Sequence, residues 1–152
     1  MDRDLHAALM KIVGMLNSPR YDDILLKEAG TALDRALFPL LVRVDAQGPI
    51  AVTELAEHVG RDHSTVSRQL AKLEALGLVS RQAQSQDRRV RAAVITADGR
   101  RVADRISKAR DRLFERVLEG WTPDEREALT RLNVKLAEVM GRLGASADRR
   151  AP

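Results

Sequence analysis

Cysteine is absent from the 152-residue chain, and aromatic residues make up only 3% of it. Without a thiol, the chain can form no disulfide, zinc-thiolate site or iron–sulfur cluster. One Trp, one Tyr and two Phe are too few for the stacking platforms on which proteins usually hold single-stranded nucleic acid. The chemistry of any binding site must therefore come from hydroxyl, amide, carboxylate, imidazole and cationic side chains.

Long hydrophobic runs are also missing. The longest stretches without Asp, Glu, Lys or Arg are residues 12–19 and 46–53, each 8 residues long. A membrane-spanning helix needs roughly 20 predominantly apolar residues. The first residues carry charges through Lys11, unlike a signal peptide. We therefore expect a cytoplasmic protein with no membrane partner.

The sequence shows no signature of catalysis. It contains no Gly-rich phosphate loop and no G-x-S-x-G turn, and Asp22 and Asp23 are adjacent, so they point to different sides of a helix. His58 and His63 are separated by a helix break at Gly60 and lack a third ligand. We expect no enzymatic activity, no cofactor and no metal site.

Positive charge is concentrated in the middle of the chain. Residues 61–110 contain 12 Lys or Arg and 5 Asp or Glu, whereas the rest contains 14 basic and 17 acidic residues. A basic segment is often only a solvated face, but this asymmetry also suits a surface that faces a polyanion.

The N-terminal half reads as a series of helices. Apolar residues at helical spacing predict one helix up to Leu16, and Ser18 followed by Pro19 predicts the start of a second, which stops at Gly30. A third helix is predicted over 33–45. Pro39 either opens it or kinks it, and the sequence does not choose between these alternatives.

Two short helices follow in close succession. Thr53 is a suitable N-cap for a helix over 54–59 that ends at Gly60, and Asp62 is a suitable N-cap for the next helix, which ends at Gly77. Such a pair with a tight turn predicts a helix-turn-helix. Its second helix has a buried stripe of Val66, Leu70 and Leu73.

The opposite face of that second helix is polar. Because an α-helix fits the major groove and Arg can bind guanine bidentately, Arg68 is the candidate for base readout. The other candidate DNA-binding residues of this helix are His63, Ser64, Thr65, Ser67 and Lys72. Helix capping is the alternative role for the hydroxyl residues.

A β-hairpin is predicted after Gly77, with Asp87, Arg88 and Arg89 at or beside its tip. A carboxylate two residues before Arg89 can orient that guanidinium for a narrow minor groove. The alternative is a solvated, salt-bridged hairpin. The adjacent helix-turn-helix favours DNA contact for all three residues.

The C-terminal third predicts two long helices. Thr96 is an N-cap for the first, to about Leu118, and Thr122-Pro123-Asp124-Glu125 is a capping box for the second. Apolar residues from Leu129 to Leu143 are spaced alternately by 3 and 4, which is typical of a helix that pairs along its length. The apolar stripes of the N-terminal helix and of these two C-terminal helices present more apolar surface than the predicted helix-turn-helix and hairpin can cover. We therefore expect a homodimer.

The order of these segments resembles the MarR family of bacterial transcription regulators. The resemblance runs from about Leu33 to Gly99, through the segments at 55–60, 64–68, 73–79 and 87–89. It implies a homodimer with two winged helix-turn-helix lobes on a pseudo-palindromic operator. It also implies a wing in which Asp87 orients Arg89, and release of DNA by a small aromatic or anionic effector. The position of Pro39 differs from the family's pattern near the usual ligand pocket.

The expected fold is mainly α with a small β-hairpin wing. Residues 1–32 and 98–144 should form a helical dimerisation region, 33–97 the winged helix-turn-helix lobe, and 145–152 a disordered tail. The expected function is a sequence-specific, double-stranded DNA-binding regulator that acts as a ligand-responsive repressor. The alternative is a winged-helix protein that compacts DNA without specificity or contacts other proteins.

Overall fold

A computed structural model describes residues 3–84 and 87–148, and for 84, 87–90 and 143–148 it describes the backbone alone. The chain divides into two compact units, residues 1–113 and 114–152. The elements in order are α1 Arg3–Leu16, α2 Pro19–Glu28, α3 Phe38–Gln47, β1 Ile50–Ala51, α4 Val52–Val59, α5 His63–Ala75, β2 Val79–Gln84, β3 Asp87–Ile95, α6 Ala97–Val117 and α7 Pro123–Asp148. The mainly helical fold class with a small β wing is confirmed.

The first two helices are divided as predicted. The Ser18 hydroxyl accepts a hydrogen bond from the Tyr21 backbone N–H, and Pro19 occupies the first turn of α2. Gly30 follows the helix with φ 62°, a left-handed conformation that suits glycine. No residue of α1 is buried, whereas α2 buries Leu25 and Leu26.

Pro39 opens α3 rather than kinking it. The helix begins at Phe38, five residues later than predicted, with Pro39 in its first turn, where a missing N–H removes no helical hydrogen bond. The apolar residues that predicted this helix are nevertheless buried, including Leu40, Leu41 and Val44.

The predicted cap at Thr53 is wrong. Helix α4 begins at Val52 with Ala51 as its N-cap, and no side chain caps it. Ala51 pairs with Ala92 of β3, so the end of a strand fixes where the helix can begin. The predicted end is confirmed, since Gly60 adopts φ 65°.

The sheet has three antiparallel strands in the order β1-β3-β2. Strand β3 pairs with β2 from Val79↔Ile95 onward, and the register shifts between Ala83 and Gln84. Thr96 joins the sheet to α6, because its hydroxyl donates to the Gly77 carbonyl (2.6 Å) and accepts from the Gly99 N–H (3.0 Å).

The core of the first unit is entirely apolar among the described residues. Its largest fully buried side chains come from α2, α3, β1, α4, α5 and α6: Leu25, Leu40, Leu41, Val44, Ile50, Leu55, Val66, Leu70, Leu73 and Ile106. The stripe predicted for the second helix of the helix-turn-helix is therefore confirmed, and it fixes which face of α5 points outward.

The second unit contains the last turn of α6 and all of α7. The capping box is confirmed, because the Thr122 N–H donates to Glu125 Oε2 (2.8 Å) while Thr122 Oγ1 accepts from the Glu125 N–H (3.3 Å). Helix α7 continues to Asp148, so residues 145–148, predicted to be disordered, are helical in an Ala-containing segment that favours helix. Residues 149–152 lie outside the described part.

No described helix is both long and apolar enough to cross a bilayer.

Candidate nucleic-acid interface

Helix α5 presents one polar face outward, opposite its buried stripe. Ser64, Arg68 and Lys72 are exposed there, and His63 is exposed at the first position of the helix. Thr65 and Ser67 are half-buried at the flanks of the face. Five of the six predicted residues of this helix thus lie on or beside one solvent-facing surface, and His63 is exposed at the beginning of the helix.

Asp62 organises the beginning of this face. Its Oδ2 accepts from the Ser64 hydroxyl (2.6 Å) and from the Thr65 backbone N–H (2.9 Å), while Oδ1 accepts from the Thr65 hydroxyl (2.7 Å). Hydrogen bonds from Ser64 and Thr65 hold the pKa of the Asp62 carboxyl well below its usual range. The predicted N-cap is confirmed, and the carboxylate also bonds two of the candidate DNA-binding hydroxyls.

Arg68 is connected to the same group. Its Nη2 donates to Thr65 Oγ1 at 3.4 Å, a long contact between two side chains on successive turns. We call Asp62, Ser64, Thr65 and Arg68 the Asp62 cluster. This cluster connects the N-cap of α5 to Arg68, the residue that the sequence predicts to contact bases.

Arg81 on β2 was not among the predicted site residues, yet it ties the wing to α5. Its Nη2 donates to the Ser67 carbonyl (2.9 Å), and its Nε lies 3.6 Å from Glu74 Oε2. Its side chain is only 20% exposed. Because these partners are 14 and 7 positions away across a turn, no local sequence pattern indicates the contact.

Arg61 makes a second long-range contact that sequence reasoning missed. Its Nη1 donates to the Ala36 carbonyl (2.7 Å) and to Gln69 Oε1 (2.9 Å). The side chain therefore joins the segment before α3 to the middle of α5. This basic residue of the 61–110 segment is engaged in holding the helix-turn-helix together.

The backbone of Asp87, Arg88 and Arg89 belongs to β3, and Asp87 pairs with Gln84 near the register shift. Their side chains lie outside the described residues, so their contact with DNA stays a prediction. Farther along the strand, Arg91 is exposed.

A shallow groove of about 450 Å³ lies along the first half of α6. Leu78 and Val102 contribute apolar surface, and the charged lining is Asp98, Arg101, Asp104, Arg105 and Lys108. Arg101 forms an ion pair with Asp98. Leu78 comes three residues after the end of α5, so one wall of the groove is close in the chain to the polar helix.

The structure places no three His, Asp or Glu side chains together as metal ligands within its described ranges. His58 and His63 are both exposed, on α4 and at the first position of α5.

The sequence comparisons and the structural comparison point to the same family of proteins. The MarR family model matches residues 33–90, from before α3 into β3. An uncharacterised HTH-type transcriptional regulator of Bacillus subtilis, YxaD, is 38% identical over 95 residues, which are 62% of this chain and 66% of YxaD. A second, YdgJ, is 28% identical over 67% of this chain and 62% of its own length. The chain thus spans slightly less than two thirds of each.

A solved structure extends the likeness beyond the matched segment. A MarR family protein from Bacillus stearothermophilus aligns with a TM-score of 0.78 at 23% identity, covering 93% of this chain and 99% of that one. The helices on both sides of the reading lobe are therefore part of the shared fold. The predicted resemblance is confirmed: this chain belongs to the MarR family.

Proposed function

We propose that the protein is a transcriptional regulator that binds double-stranded DNA in a sequence-specific manner. The observation that supports this most directly is the outward face of α5. It presents a guanidinium, an ammonium and several hydroxyls on a helix whose other side is anchored by Val66, Leu70 and Leu73. A helix with this face can enter a major groove, where Arg pairs bidentately with guanine.

Within this proposal, Arg68 reads bases, while His63, Ser67 and Lys72 contact phosphates or flank the readout. Ser64 and Thr65 also face the groove. Asp87, Arg88 and Arg89 of the wing reach a neighbouring minor groove, with Asp87 orienting Arg89. The anchoring of β2 by Arg81 supports these separate roles of α5 and the wing, because it holds the wing strand against the reading helix.

The regulator acts as a homodimer on a pseudo-palindromic operator. Apolar side chains exposed on α1 and α7, including Ile12 (52%) and Leu132 (54%), support association with a second copy. Two lobes related by a two-fold axis would contact half-sites whose centres are roughly 34 to 36 Å apart. The regions that join the copies are residues 1–32 and 98–144, with 33–97 as the reading lobe.

A small aromatic or anionic effector controls DNA binding, and the effect of the bound protein is repression. The α6 groove supports this part of the proposal, because Leu78 and Val102 offer apolar contact beside the cations of Arg105 and Lys108. An effector that binds better to a state unfit for DNA shifts the population toward release. Titration with benzoate and related aromatic acids should lower operator affinity, and an affinity that none of them changes would indicate constitutive binding.

Selection from randomised duplexes, followed by competition, tests the main proposal. A specific regulator should enrich a motif with two-fold symmetry and prefer it over unrelated duplex by a factor on the order of a thousand or more. Equal affinity for every duplex would instead favour a DNA-compacting role. No binding to any duplex would favour a protein-contact role.

A further inference from the structure

The hydroxyl protons of the Asp62 cluster are already committed within the protein. A serine or threonine hydroxyl has one proton to donate and two lone pairs to accept with. The Ser64 proton goes to Asp62 Oδ2 at 2.6 Å, and the Thr65 proton goes to Asp62 Oδ1 at 2.7 Å. Both side chains can therefore offer a ligand only their lone pairs.

The lone pairs differ in where they can act. One on Thr65 Oγ1 faces Arg68 Nη2 at 3.4 Å and supports that guanidinium. Ser64 is exposed, so its lone pairs are open to a partner outside the protein. In a major groove the amino groups of adenine and cytosine donate, whereas guanine N7 and O6 accept, as do phosphate oxygens. The Ser64 hydroxyl thus matches an amino group and no phosphate.

We infer that Asp62 is a specificity-determining positioning residue, which fixes Ser64 as an acceptor for an adenine or cytosine amino group and orients Arg68 toward guanine through Thr65. This inference rests on the proposed function, because it concerns the same DNA surface. It assigns a readout role to a residue whose position alone indicates only a helix cap.

The negative charge of Asp62 also favours specific over non-specific DNA binding. The carboxylate is exposed at the beginning of the face that would approach DNA, where it repels phosphates. Its depressed pKa keeps it ionised at neutral pH. The charge weakens binding to arbitrary duplex, while a correctly placed amino group can still approach the cluster. The ratio of specific to non-specific affinity rises as a result.

Asp62→Asn tests the inference with little change in shape. Asn is as good an N-cap as Asp, so α5 should keep its start. Because the Thr65 backbone N–H can only donate, the Asn oxygen must remain at the Oδ2 position and its amide must face the Thr65 hydroxyl. That hydroxyl then accepts from Asn, and its proton, which the carboxylate no longer holds, competes for the position that faces Arg68, so the support of the Arg68 guanidinium is weakened.

The measurement is duplex selection followed by competition between the selected site and unrelated duplex. For Asp62→Asn we expect relaxed preference at the guanine read by Arg68, tighter binding to unrelated duplex, and a specificity ratio about tenfold lower. Asp111→Asn removes an exposed carboxylate from α6 and should leave the motif and the ratio unchanged. Circular dichroism establishes that the variants retain their helices.

Ser64→Ala provides a second test that leaves the hydrogen bond from the Thr65 N–H to Asp62 in place. It should abolish enrichment of adenine or cytosine at one position of each half-site and leave the guanine preference intact. Unchanged motifs and ratios in both variants would overturn the inference while the proposed function stands. A wild-type protein that enriches no motif would overturn both.

Discussion

At the scale of single residues, the guanidinium of Arg68 and that of Arg81 have different surroundings and should have different roles. Arg68 is exposed, and its guanidinium donates to Thr65 on its own helix. Arg81 is largely covered and donates to a backbone carbonyl of another element. We therefore expect the same type of side chain to serve recognition at position 68 and the stability of the fold at position 81.

Replacing Arg68 with Ala should weaken binding to the selected site by roughly 1 to 3 kcal/mol and relax the preference at one base position, because a bidentate contact is lost. Arg68→Lys is the matched control, since it keeps the charge but not the fork geometry. We expect Arg68→Lys to bind unrelated duplex like the wild type yet lose the same base preference in competition assays. Full preference in either variant would remove Arg68 from the reading set.

Arg81→Ala should lower the free energy of unfolding by about 1 to 3 kcal/mol, because it removes a charge-assisted hydrogen bond to the Ser67 carbonyl and the packing of a half-buried side chain. Urea denaturation followed by circular dichroism measures the change. Arg91→Ala removes an exposed arginine from β3 and should stay within about 0.5 kcal/mol of the wild type. Equal losses in the two variants would contradict the structural role of Arg81.

Asp22 gives the fold a pH dependence of predictable sign. Burial raises the pKa of this carboxyl, Arg35 opposes the rise, and Asp23 adds to it. The folded state therefore binds the proton more tightly than the unfolded chain, whose Asp has the ordinary value of 3.8. The charged form destabilises the fold above the folded pKa, and this penalty disappears as the pH falls toward 3.8.

Asp22→Asn should accordingly be more stable than the wild type at neutral pH, and the difference should shrink as the pH falls toward 3.8. Urea denaturation at several pH values measures the two curves. Glu57→Gln controls for the loss of one negative charge, since Glu57 is exposed on α4, and it should bring no such gain at neutral pH. A difference between Asp22→Asn and wild type that grows on acidification would contradict the assigned sign.

At the scale of secondary-structure elements, Gly99 allows the beginning of α6 to approach Leu78, which follows the helix-turn-helix. A Cβ on Gly99 would come within 2.8 Å of the Ile95 side chain and would clash with the Leu78 carbonyl, which belongs to the backbone and cannot turn aside. Gly99→Ala should therefore lower the free energy of unfolding by about 1 to 3 kcal/mol or more. Thermal and urea unfolding measure it.

Gly14 in α1 is the matched control, because a Cβ there would meet nothing within 4 Å. Gly14→Ala should stabilise by roughly 0.5 to 1 kcal/mol, the usual gain when alanine replaces glycine inside a helix. If both alanine variants changed stability in the same direction, the close approach at Gly99 would not be the cause.

Element boundaries show which parts of the fold the sequence could predict. Caps at Ser18, Asp62 and Thr122 depend on residues within three positions, so their local patterns were sufficient. The start of α4 depends on pairing between β1 and β3, about 40 positions apart, and the local preference of Thr53 was overridden. The polar face of α5 followed from helical spacing, whereas the bonds from Arg61 and Arg81 required the tertiary fold.

At the scale of the whole molecule, apolar side chains remain exposed on both terminal helices. On α1 they include Leu5, Ile12 and Met15, at 53%, 52% and 62%, and on α7 Leu132 and Met140, at 54% and 60%. Isolated apolar residues are common on protein surfaces, but a helix such as α1 without a single buried residue gains little from packing within its own chain. Association with a second copy would give these helices their missing packing.

Leu132→Glu tests that association. A carboxylate in an apolar interface has no partner and should weaken the dimer by about 3 to 5 kcal/mol. Thr130→Glu is the control, since it adds the same charge to an exposed position roughly 200° around α7. Sedimentation should show monomers for Leu132→Glu and dimers for Thr130→Glu and the wild type.

The two variants should also differ on DNA. A monomer binds each half-site independently, so Leu132→Glu should bind a full palindromic duplex little better than a duplex with one half-site intact. The wild type and Thr130→Glu should lose most of their affinity when one half-site is scrambled, because the dimer otherwise gains from two linked contacts. A Leu132→Glu protein that stays dimeric and keeps this dependence would place the interface elsewhere than on this stripe of α7.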